Sequence, residues 1–429
     1  MMKITSSGVS ILNHWLKPRY LQEILLGILP FLIAGQLMSI IVLFPAGLRG
    51  QVDFRHLYTA GYMVRTGYGH ELYNYDAQKR FQSQFVAGRQ PTLPFVRPAY
   101  QALFFMPLSL LRYRDAYLIF LCFNLCLLGI CFLLLGSKLC GLACRHRWLP
   151  AALFLSFLPV SLALLQGQDT IILMALFTGA WVLLDSKRDL IAGLLVGLGL
   201  FKLQLVIPIL LIFIIGRRWR FVRGLTAAAV VVSIVSVWVV GFEGTWAFSK
   251  SLWSVGSGFA SQDHSVDVLF MTTFMPNLRG LIFGLFAGRL PMFWVQFMTL
   301  FSSLAVLISA AVWGRENLQG PKGFELALSA SALASYYFFI HDFTIMLIPI
   351  LMVLSRTMGS DEEQNLSHRL SAWFAALLIL TPLITFLALK HFYLVALPLA
   401  GFLGTLVFGS KRMLFSDALQ EKRIAPQLN

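Results

Sequence analysis

The chain has 429 residues, of which 58% are hydrophobic and only 12% are charged, and its net charge is +15. This composition excludes a soluble globular protein and indicates a polytopic membrane protein. The positive charge does not indicate nucleic-acid binding, because most Lys and Arg residues lie in short loops between apolar runs, as in cytoplasmic loops of membrane proteins.

The apolar runs predict an all-α bundle of about 12 transmembrane helices. They cover residues 24–44, 115–136, 148–165, 169–184, 190–201, 203–216, 222–241, 290–313, 324–340, 343–355, 370–388 and 392–409. Several runs are shorter than the roughly 20 residues that a straight span needs, so we expect tilted, broken or buried helices among them.

The segment 190–216 is the ambiguous one. As one long helix it would place the basic residues before it and after it on opposite sides of the membrane. As a hairpin of two short helices it places both basic clusters on one side, with Lys202 at the tip. The tendency of basic loops to stay in the cytoplasm favours the hairpin.

This orientation predicts one membrane domain over 1–429. An extracytoplasmic catalytic loop covers 46–114, a second extracytoplasmic loop covers 242–289, and a cytoplasmic tail covers 410–429. The turns around Gln168, Lys202 and His341 then share the extracytoplasmic face with the long loop.

Within 46–114, a helix is predicted to begin at Asp53, because Phe54, Leu57 and Tyr58 follow with helical spacing. A second helix is predicted over 77–87, started by Asn74 or Asp76. The apolar stretch 102–111 is too short to span and is predicted to lie in the interface. Together these elements suggest a lid over an opening between helices.

Asp53 has two interpretations that the pattern alone leaves open. It is a suitable N-cap for the helix that follows it. It is also a carboxylate at the membrane surface, beside a basic and aromatic loop, where it could act as a general base toward a hydroxyl.

Two interruptions of apolar sequence and one loop arginine are further candidate site residues. Lys202 could stabilise a phosphate leaving group, or extend to the interface from a hairpin tip. His341 and Asp342 could take part in catalysis and substrate binding, or form a helix–helix turn that Asp342 caps. Arg279 could bind phosphate, or neutralise one of the acidic residues Asp263 and Asp267.

Further polar residues are candidate substrate contacts. Gln168 lies in a turn that could hydrogen-bond sugar hydroxyls, although any tight turn has this composition. The other candidates are Arg55, His56, Tyr58 and Arg97, of which the basic residues could equally be ordinary loop-surface residues.

The sequence contains no P-loop, no dinucleotide-binding glycine motif and no Asp-x-Asp motif for a metal-bound nucleotide sugar. A nucleotide-sugar donor in the cytoplasm is therefore not expected, and a sugar donor would be lipid-linked.

Seven motifs in order resemble glycosyltransferase family 87 over roughly residues 50–355. They are Asp53-Phe54 with Tyr58, Ala60, Gly67 and Leu72-Tyr73; Arg97-Pro98-Ala99-Tyr100; Met106-Pro107-Leu108; Gly167-Gln168; Ala192-Gly193 with Gly197 and Lys202; Asn277-Leu278-Arg279-Gly280-Leu281; and His341-Asp342. Two positions depart from the family pattern: Leu203 follows Lys202 where members often have Pro, and Arg97 stands where His or Tyr is common.

The resemblance implies a GT-C bundle in the cell membrane with an extracytoplasmic active site. It implies an inverting hexosyltransferase that moves mannose from a polyprenyl-phosphate donor to a lipid-linked or cell-envelope glycan acceptor. It also implies that Asp53 is the base, with Lys202, Arg279 and His341 stabilising the departing phosphate. This implied arrangement requires no metal or other cofactor, because cationic side chains can stabilise the leaving group.

Two other classes of protein remain open on the sequence. A transporter or flippase of a phosphate-bearing lipid would use the same basic residues without chemistry, although such proteins usually carry internal repeats. A non-catalytic partner of another membrane enzyme is the third possibility.

Overall fold

The computed structural model describes residues 18–86, 90–144, 146–257, 272–315, 318–359, 366–387 and 391–408. Within these ranges every named element is helical, as predicted. The first helices are α1 (Pro18–Leu48), α2 (Phe54–Arg65), α3 (Tyr75–Gln82), α4 (Tyr100–Phe105), α5 (Tyr113–Gly136), α6 (Cys140–Ala143), α7 (Leu149–Ser156), α8 (Leu158–Leu165) and α9 (Thr170–Asp185). They are followed by α10 (Asp189–Leu198), α11 (Leu203–Ile215), α12 (Trp219–Ser257), α13 (Leu278–Phe286), α14 (Met292–Trp313), α15 (Gly320–Ala334), α16 (Leu347–Met358), α17 (Leu366–Leu387) and α18 (Phe392–Phe408).

Six helical segments in the described ranges are long and apolar enough to cross a membrane. They are Tyr20–Leu48, Tyr113–Gly136, Asp189–Ile215, Trp219–Trp253, Met292–Trp313 and Leu366–Thr385. The molecule is therefore a multi-pass membrane protein. The remaining predicted runs form shorter or interrupted helices, of which α9 and α18 are also apolar.

One of these six segments, Asp189–Ile215, reverses direction at Lys202. Its two ends meet, because Asp189 pairs with Arg218 just beyond α11 at 2.7 Å. A continuous helix of 27 residues would separate its ends by about 40 Å. The reversal is a short 3-10 helix (Gly199–Lys202), and Lys202 itself leaves the helical conformation (φ −112°, ψ 65°). The chain therefore folds here as the predicted hairpin.

The contact between α10 and α12 depends on glycine. A Cβ on Gly193 would lie 2.0 Å from the Phe221 carbonyl oxygen, and one on Gly224 would lie 1.9 Å from the Leu190 carbonyl oxygen. Small residues at such a contact let helix backbones approach closely inside a membrane. The close contact fixes the hairpin against the long helix α12.

Two predicted apolar runs and one predicted loop differ from the structure in their boundaries. The run 148–165 is broken between α7 and α8, where Phe157 is extended (ψ 107°) and Pro159 lies in the first turn of α8, a position that proline tolerates. The run 324–340 stops being helical after Ala334. The predicted loop 242–289 is partly helical: α12 continues to Ser257 across a kink at Gly241, and α13 follows within the same range. The predicted tail 410–429 lies outside the described residues.

The segment 46–114 folds around an aromatic core. The helix predicted from Asp53 is α2, and the Phe54 ring is buried at its start. It contacts the rings of Tyr58, Phe105, Tyr113, Tyr117 and Phe120. The second predicted helix is α3, and Asn74 caps it by accepting from the backbone N–H groups of Asp76 and Ala77, although α3 ends at Gln82 and not at 87. This packing anchors the start of α2 against the membrane helices.

Candidate active site

The start of α2 is joined to the turn that follows α8. The Phe54 N–H donates to the Gln166 carbonyl oxygen at 2.9 Å. Gly167 has φ +61°, and a Cβ there would lie 2.6 Å from the Phe54 Cβ. Glycine is needed at this position both for its conformation and for the close approach of Phe54. The turn 166–168 and Asp53 are therefore held side by side.

Asp53 does not cap α2 with its side chain. The helix begins directly after it, as predicted, but its carboxylate makes no hydrogen bond to the N–H groups of the first turn. Instead, Asp53 Oδ2 accepts from the Gln168 Nε2 at 2.5 Å. The side chain is only partly buried. Of the two interpretations of Asp53, the structure thus removes side-chain capping and leaves a carboxylate that faces Gln168.

Directly behind Gln168 lies a buried cluster of two carboxylates and two cations. Lys202 Nζ is 3.1 Å from Asp169 Oδ1 and 2.5 Å from Asp342 Oδ1, and Arg97 Nη1 is 3.0 Å from Asp169 Oδ2. Asp169, Lys202 and Asp342 are each at most 2% exposed, whereas the Arg97 side chain is 13% exposed. The four formal charges cancel, which is the arrangement that buried ions require.

Neighbouring groups donate further hydrogen bonds to the two carboxylates. Gln101 Nε2 donates to Asp169 Oδ2 at 2.5 Å. Asp342 accepts from the Thr170 hydroxyl at 3.0 Å and from the Phe339 N–H at 3.1 Å. The cluster thus joins the loop before α4, the start of α9, the tip of the hairpin and the start of the 3-10 helix Asp342–Met346.

The cluster changes the interpretation of Lys202. It was predicted to bind the donor phosphate, but its ammonium group is buried between two carboxylates. We therefore assign Lys202 to charge balance within the site. The sequence did contain a signal for its partner: Asp169 is a carboxylate at the edge of an apolar run, and charged residues in such positions require a partner.

Arg55 and Tyr58 were predicted to contact substrate, but their polar groups are used within the loop 46–114. Arg55 donates to the carbonyl oxygens of Gly50 and Pro91 and to Gln82 Oε1. The Tyr58 hydroxyl donates to the Leu111 carbonyl oxygen at 2.7 Å. Both side chains are nearly fully buried. These bonds hold the loop together.

His56 is buried beside the cluster. Burial, reinforced by the positive charge of Arg97, lowers the pKa of the His56 imidazole to about 4. The side chain is therefore neutral near pH 7. In that state one ring nitrogen can donate and the other can accept a hydrogen bond.

The lowered pKa of His56 predicts a pH dependence of stability. The unfolded chain binds a proton near pH 6.5, whereas the folded protein resists protonation down to about pH 4. Stability from this residue is therefore present above pH 6.5 and is lost as the pH falls toward 4. We expect His56→Gln to lose less thermal stability than wild type between pH 7 and pH 5. The control is His70→Gln. The His70 side chain is 69% exposed, so this variant should lose as much thermal stability between pH 7 and pH 5 as the wild type does.

His341 lies at the entrance to the cluster. Its ring stacks on Phe339 with 5.8 Å between centroids, its Nε2 is 3.7 Å from Asp342 Oδ1, and its side chain is 12% exposed. A turn between helices is present here, as one interpretation predicted. Asp342 accepts from the Phe339 N–H that precedes it, so its side chain does not cap the helix that follows.

Arg279 is held on α13, which Asn277 begins by accepting from the Gly280 N–H. The Arg279 guanidinium is 1% exposed, donates through Nη1 to the Tyr336 carbonyl oxygen, and lies 3.7 Å from the Tyr336 ring centroid. Its Nε is buried without a hydrogen-bond partner, and no carboxylate of the described residues pairs with it. The predicted acidic partners Asp263 and Asp267 lie outside those residues.

The contact between Gly167 and Phe54 leads to a matched pair of variants. Gly167→Ala should destabilise the protein by about 1–2 kcal/mol from the unfavourable φ and by about 1–3 kcal/mol more from the contact with Phe54. Gly67 also has a positive φ (+85°), but an added Cβ there meets nothing within 4 Å. Gly67→Ala should therefore show only the first cost. Thermal unfolding of both variants measures the difference, and equal losses would contradict the contact.

The fold and this site define a multi-pass membrane protein in which a carboxylate lies beside a neutralised cluster of buried charges. Residues 95–336, more than half of the chain, match glycosyltransferase family 87. No curated protein and no solved structure matches. The chain belongs to glycosyltransferase family 87, and it is therefore a membrane glycosyltransferase.

The match covers part of the site. Arg97, Gln168, Lys202 and Arg279 fall within residues 95–336, and so does Asp169. Asp53, His56, His341 and Asp342 lie outside, and they are connected to the matched region by the contacts described above.

Proposed function

We propose that the protein transfers a hexose, mannose first among the candidates, from a polyprenyl-phosphate donor to a lipid-linked or cell-envelope glycan acceptor. The reaction takes place on the extracytoplasmic face of the cell membrane and inverts the anomeric configuration. The observation that carries this proposal is the Asp53 carboxylate, which is partly accessible and held by Gln168 in front of the buried charge cluster.

Asp53 is the general base in this mechanism. An acceptor hydroxyl oxygen attacks the anomeric carbon, and Asp53 takes the hydroxyl proton as the new glycosidic bond forms. The bond between the anomeric carbon and the phosphate oxygen breaks, and polyprenyl phosphate departs with the bonding electron pair. A single displacement of this kind inverts the configuration at the anomeric carbon.

Gln168 orients the base and offers a sugar contact. Its Nε2 fixes Asp53, while its Oε1 is buried without a hydrogen-bond partner among the described residues. The Gln101 Oε1 is also buried without a hydrogen-bond partner among the described residues. Buried polar atoms without a partner are costly, and hydroxyl groups of a bound sugar would satisfy them. His56 and Arg97 are further donors at this position.

Arg279 is the best candidate for the donor phosphate. A buried guanidinium without a carboxylate partner is prepared for an anion, and its aromatic neighbours stabilise the cation until the anion arrives. His341 is the second candidate, because its ring lies near the surface of the cluster. No metal is required, because the Arg279 guanidinium supplies positive charge to the leaving group and His341 can donate a hydrogen bond to it.

The proposal is tested by offering a panel of polyprenyl-phosphate sugars, mannose included, to purified protein in nanodiscs with lipid extract as the acceptor. We expect release of free polyprenyl phosphate with one donor, together with a glycosylated lipid. If no donor is consumed but a phosphate-bearing lipid moves between leaflets, the protein acts on that lipid as a flippase and the proposal is wrong.

A further inference from the structure

A second charged site lies at the far end of the same helices. α9 begins at the buried cluster and ends at Asp185, about 24 Å away at 1.5 Å per residue. There a cavity of about 530 Å³ opens between the ends of α9 and α11 and the starts of α10 and α12. Its lining includes Asp185, Lys187, Asp189 and Arg220. The function proposed above uses none of these residues.

The charges in this cavity leave an excess of cations. Asp185 is already paired with Lys138 at 2.7 Å, and Asp189 is paired with Arg218 at 2.7 Å. Both lining carboxylates are thus neutralised by neighbours. Lys187 and Arg220 remain, and no carboxylate of the described residues pairs with either of them. An anion is the ligand that this arrangement favours.

The backbone at the cavity has an uncommon conformation for basic residues. Lys187 has φ +60° and Arg217 has φ +57°, each in the turn that ends a helix. In both turns the residue after the one with positive φ donates its backbone N–H to the carbonyl oxygen five residues earlier. Arg188 donates to Leu183, and Arg218 donates to Phe213. The same turn occurs at Gly67 and Gly167, where the residue with positive φ is glycine. Lys187 and Arg217 are therefore two basic residues beside this cavity at positions where glycine is the usual residue.

The surroundings place this cavity at a membrane boundary. Four apolar residues lie close in sequence to the cavity lining and are each 42–54% exposed: Leu190, Ile191, Ile215 and Trp219. Tryptophan is enriched at the level of lipid headgroups, and exposed aliphatic residues next to it face the acyl chains. A headgroup in the cavity would have its chains beside these residues.

We infer that this cavity binds the phosphate group of an anionic phospholipid between Lys187 and Arg220. Basic pockets between transmembrane helices recognise lipid phosphates by such charge pairs. The bound lipid would link the turn between α9 and α10 to the start of α12. The helix α10 that follows this turn forms the hairpin with α11, the tip of which carries Lys202. Lipid composition would in this way affect the stability of the helices that build the active site.

The test measures thermal unfolding of detergent-purified protein as short-chain phosphatidylglycerol is added. We expect a saturable rise in the unfolding temperature. In the double variant Lys187→Gln/Arg220→Gln, the apparent affinity should fall by about five-fold for each cation removed. The control Arg188→Gln/Arg223→Gln removes the same charge from the same turn and the same first turns of α12 without changing the cavity lining, and it should bind as wild type. Equal weakening in both double variants would overturn the site.

Two further arms separate a lipid site from other causes. Lys187→Gly should raise the unfolding temperature without lipid, because glycine accepts φ +60°, and should weaken the response to phosphatidylglycerol. An unchanged lipid response in this variant would overturn the inference. Inorganic phosphate at the same concentrations should have little effect, and so should phosphatidylcholine. A full response to inorganic phosphate would identify a soluble anion as the ligand and overturn the assignment to lipid.

Discussion

Asp53→Asn should reduce turnover by about 10²–10⁴-fold, which is the contribution of a general base. The amide cannot accept the proton of the acceptor hydroxyl, yet it can still accept the hydrogen bond from Gln168. Folding and donor binding should therefore change little. Turnover and donor affinity measured on the same preparation separate the role of a base from that of a structural residue.

The control for Asp53→Asn is Asp76→Asn. Asp76 is an exposed carboxylate in the first turn of α3, within the same extramembrane segment. This variant should keep its turnover, because Asp76 has no contact with the cluster. A loss of donor affinity in Asp53→Asn that matches its loss of turnover would show that Asp53 acts in binding or structure.

Lys202→Met should be strongly destabilising, by about 3–5 kcal/mol, because it leaves two buried carboxylates with too little positive charge. The comparison is Lys138→Met, which breaks a pair whose side chains are 46% and 37% exposed and should cost about 0–1 kcal/mol. Unfolding of both variants in detergent micelles gives the difference.

A second substitution tests the cause of that loss. Adding Asp342→Asn to Lys202→Met restores charge balance, with Asp169 and Arg97 still paired. The double variant should therefore be more stable than Lys202→Met alone. A double variant that is less stable still would mean that hydrogen bonding of Asp342, and not its charge, dominates the cluster.

Much of the site could be predicted because its residues interrupt apolar sequence. The start of α2, the cap at Asn74, the turn 166–168 and the reversal at Lys202 all follow from local signals such as periodicity, capping and charge. These signals depend on neighbours in the chain and so can be interpreted without knowledge of the tertiary structure.

The partners within the site could not be predicted in the same way. Arg97, Asp169, Lys202 and Asp342 are far apart in sequence, and the charges alone do not say which carboxylate meets which cation. The sequence therefore presented Lys202 as a free cation for phosphate. Arg55 was likewise predicted to contact substrate, because no neighbouring sequence signal indicates that its guanidinium donates to the carbonyl oxygens of Gly50 and Pro91.

Helix continuity was the least predictable property. The break at Phe157 lies inside an uninterrupted apolar run, and α12 continues past Gly241 although the apolar run ends there. Hydropathy measures only the apolar character of a segment. It therefore identifies membrane segments better than it places their ends.

The most direct test of Asp53 as a base is rescue of Asp53→Ala by azide, with the donor that the panel identifies. Azide already carries a negative charge and attacks without losing a proton, so it needs no base. We predict that azide restores release of polyprenyl phosphate by Asp53→Ala, gives a glycosyl azide of inverted configuration, and has little effect on wild type. An Asp53→Ala protein that binds donor but stays inactive with azide would contradict the account.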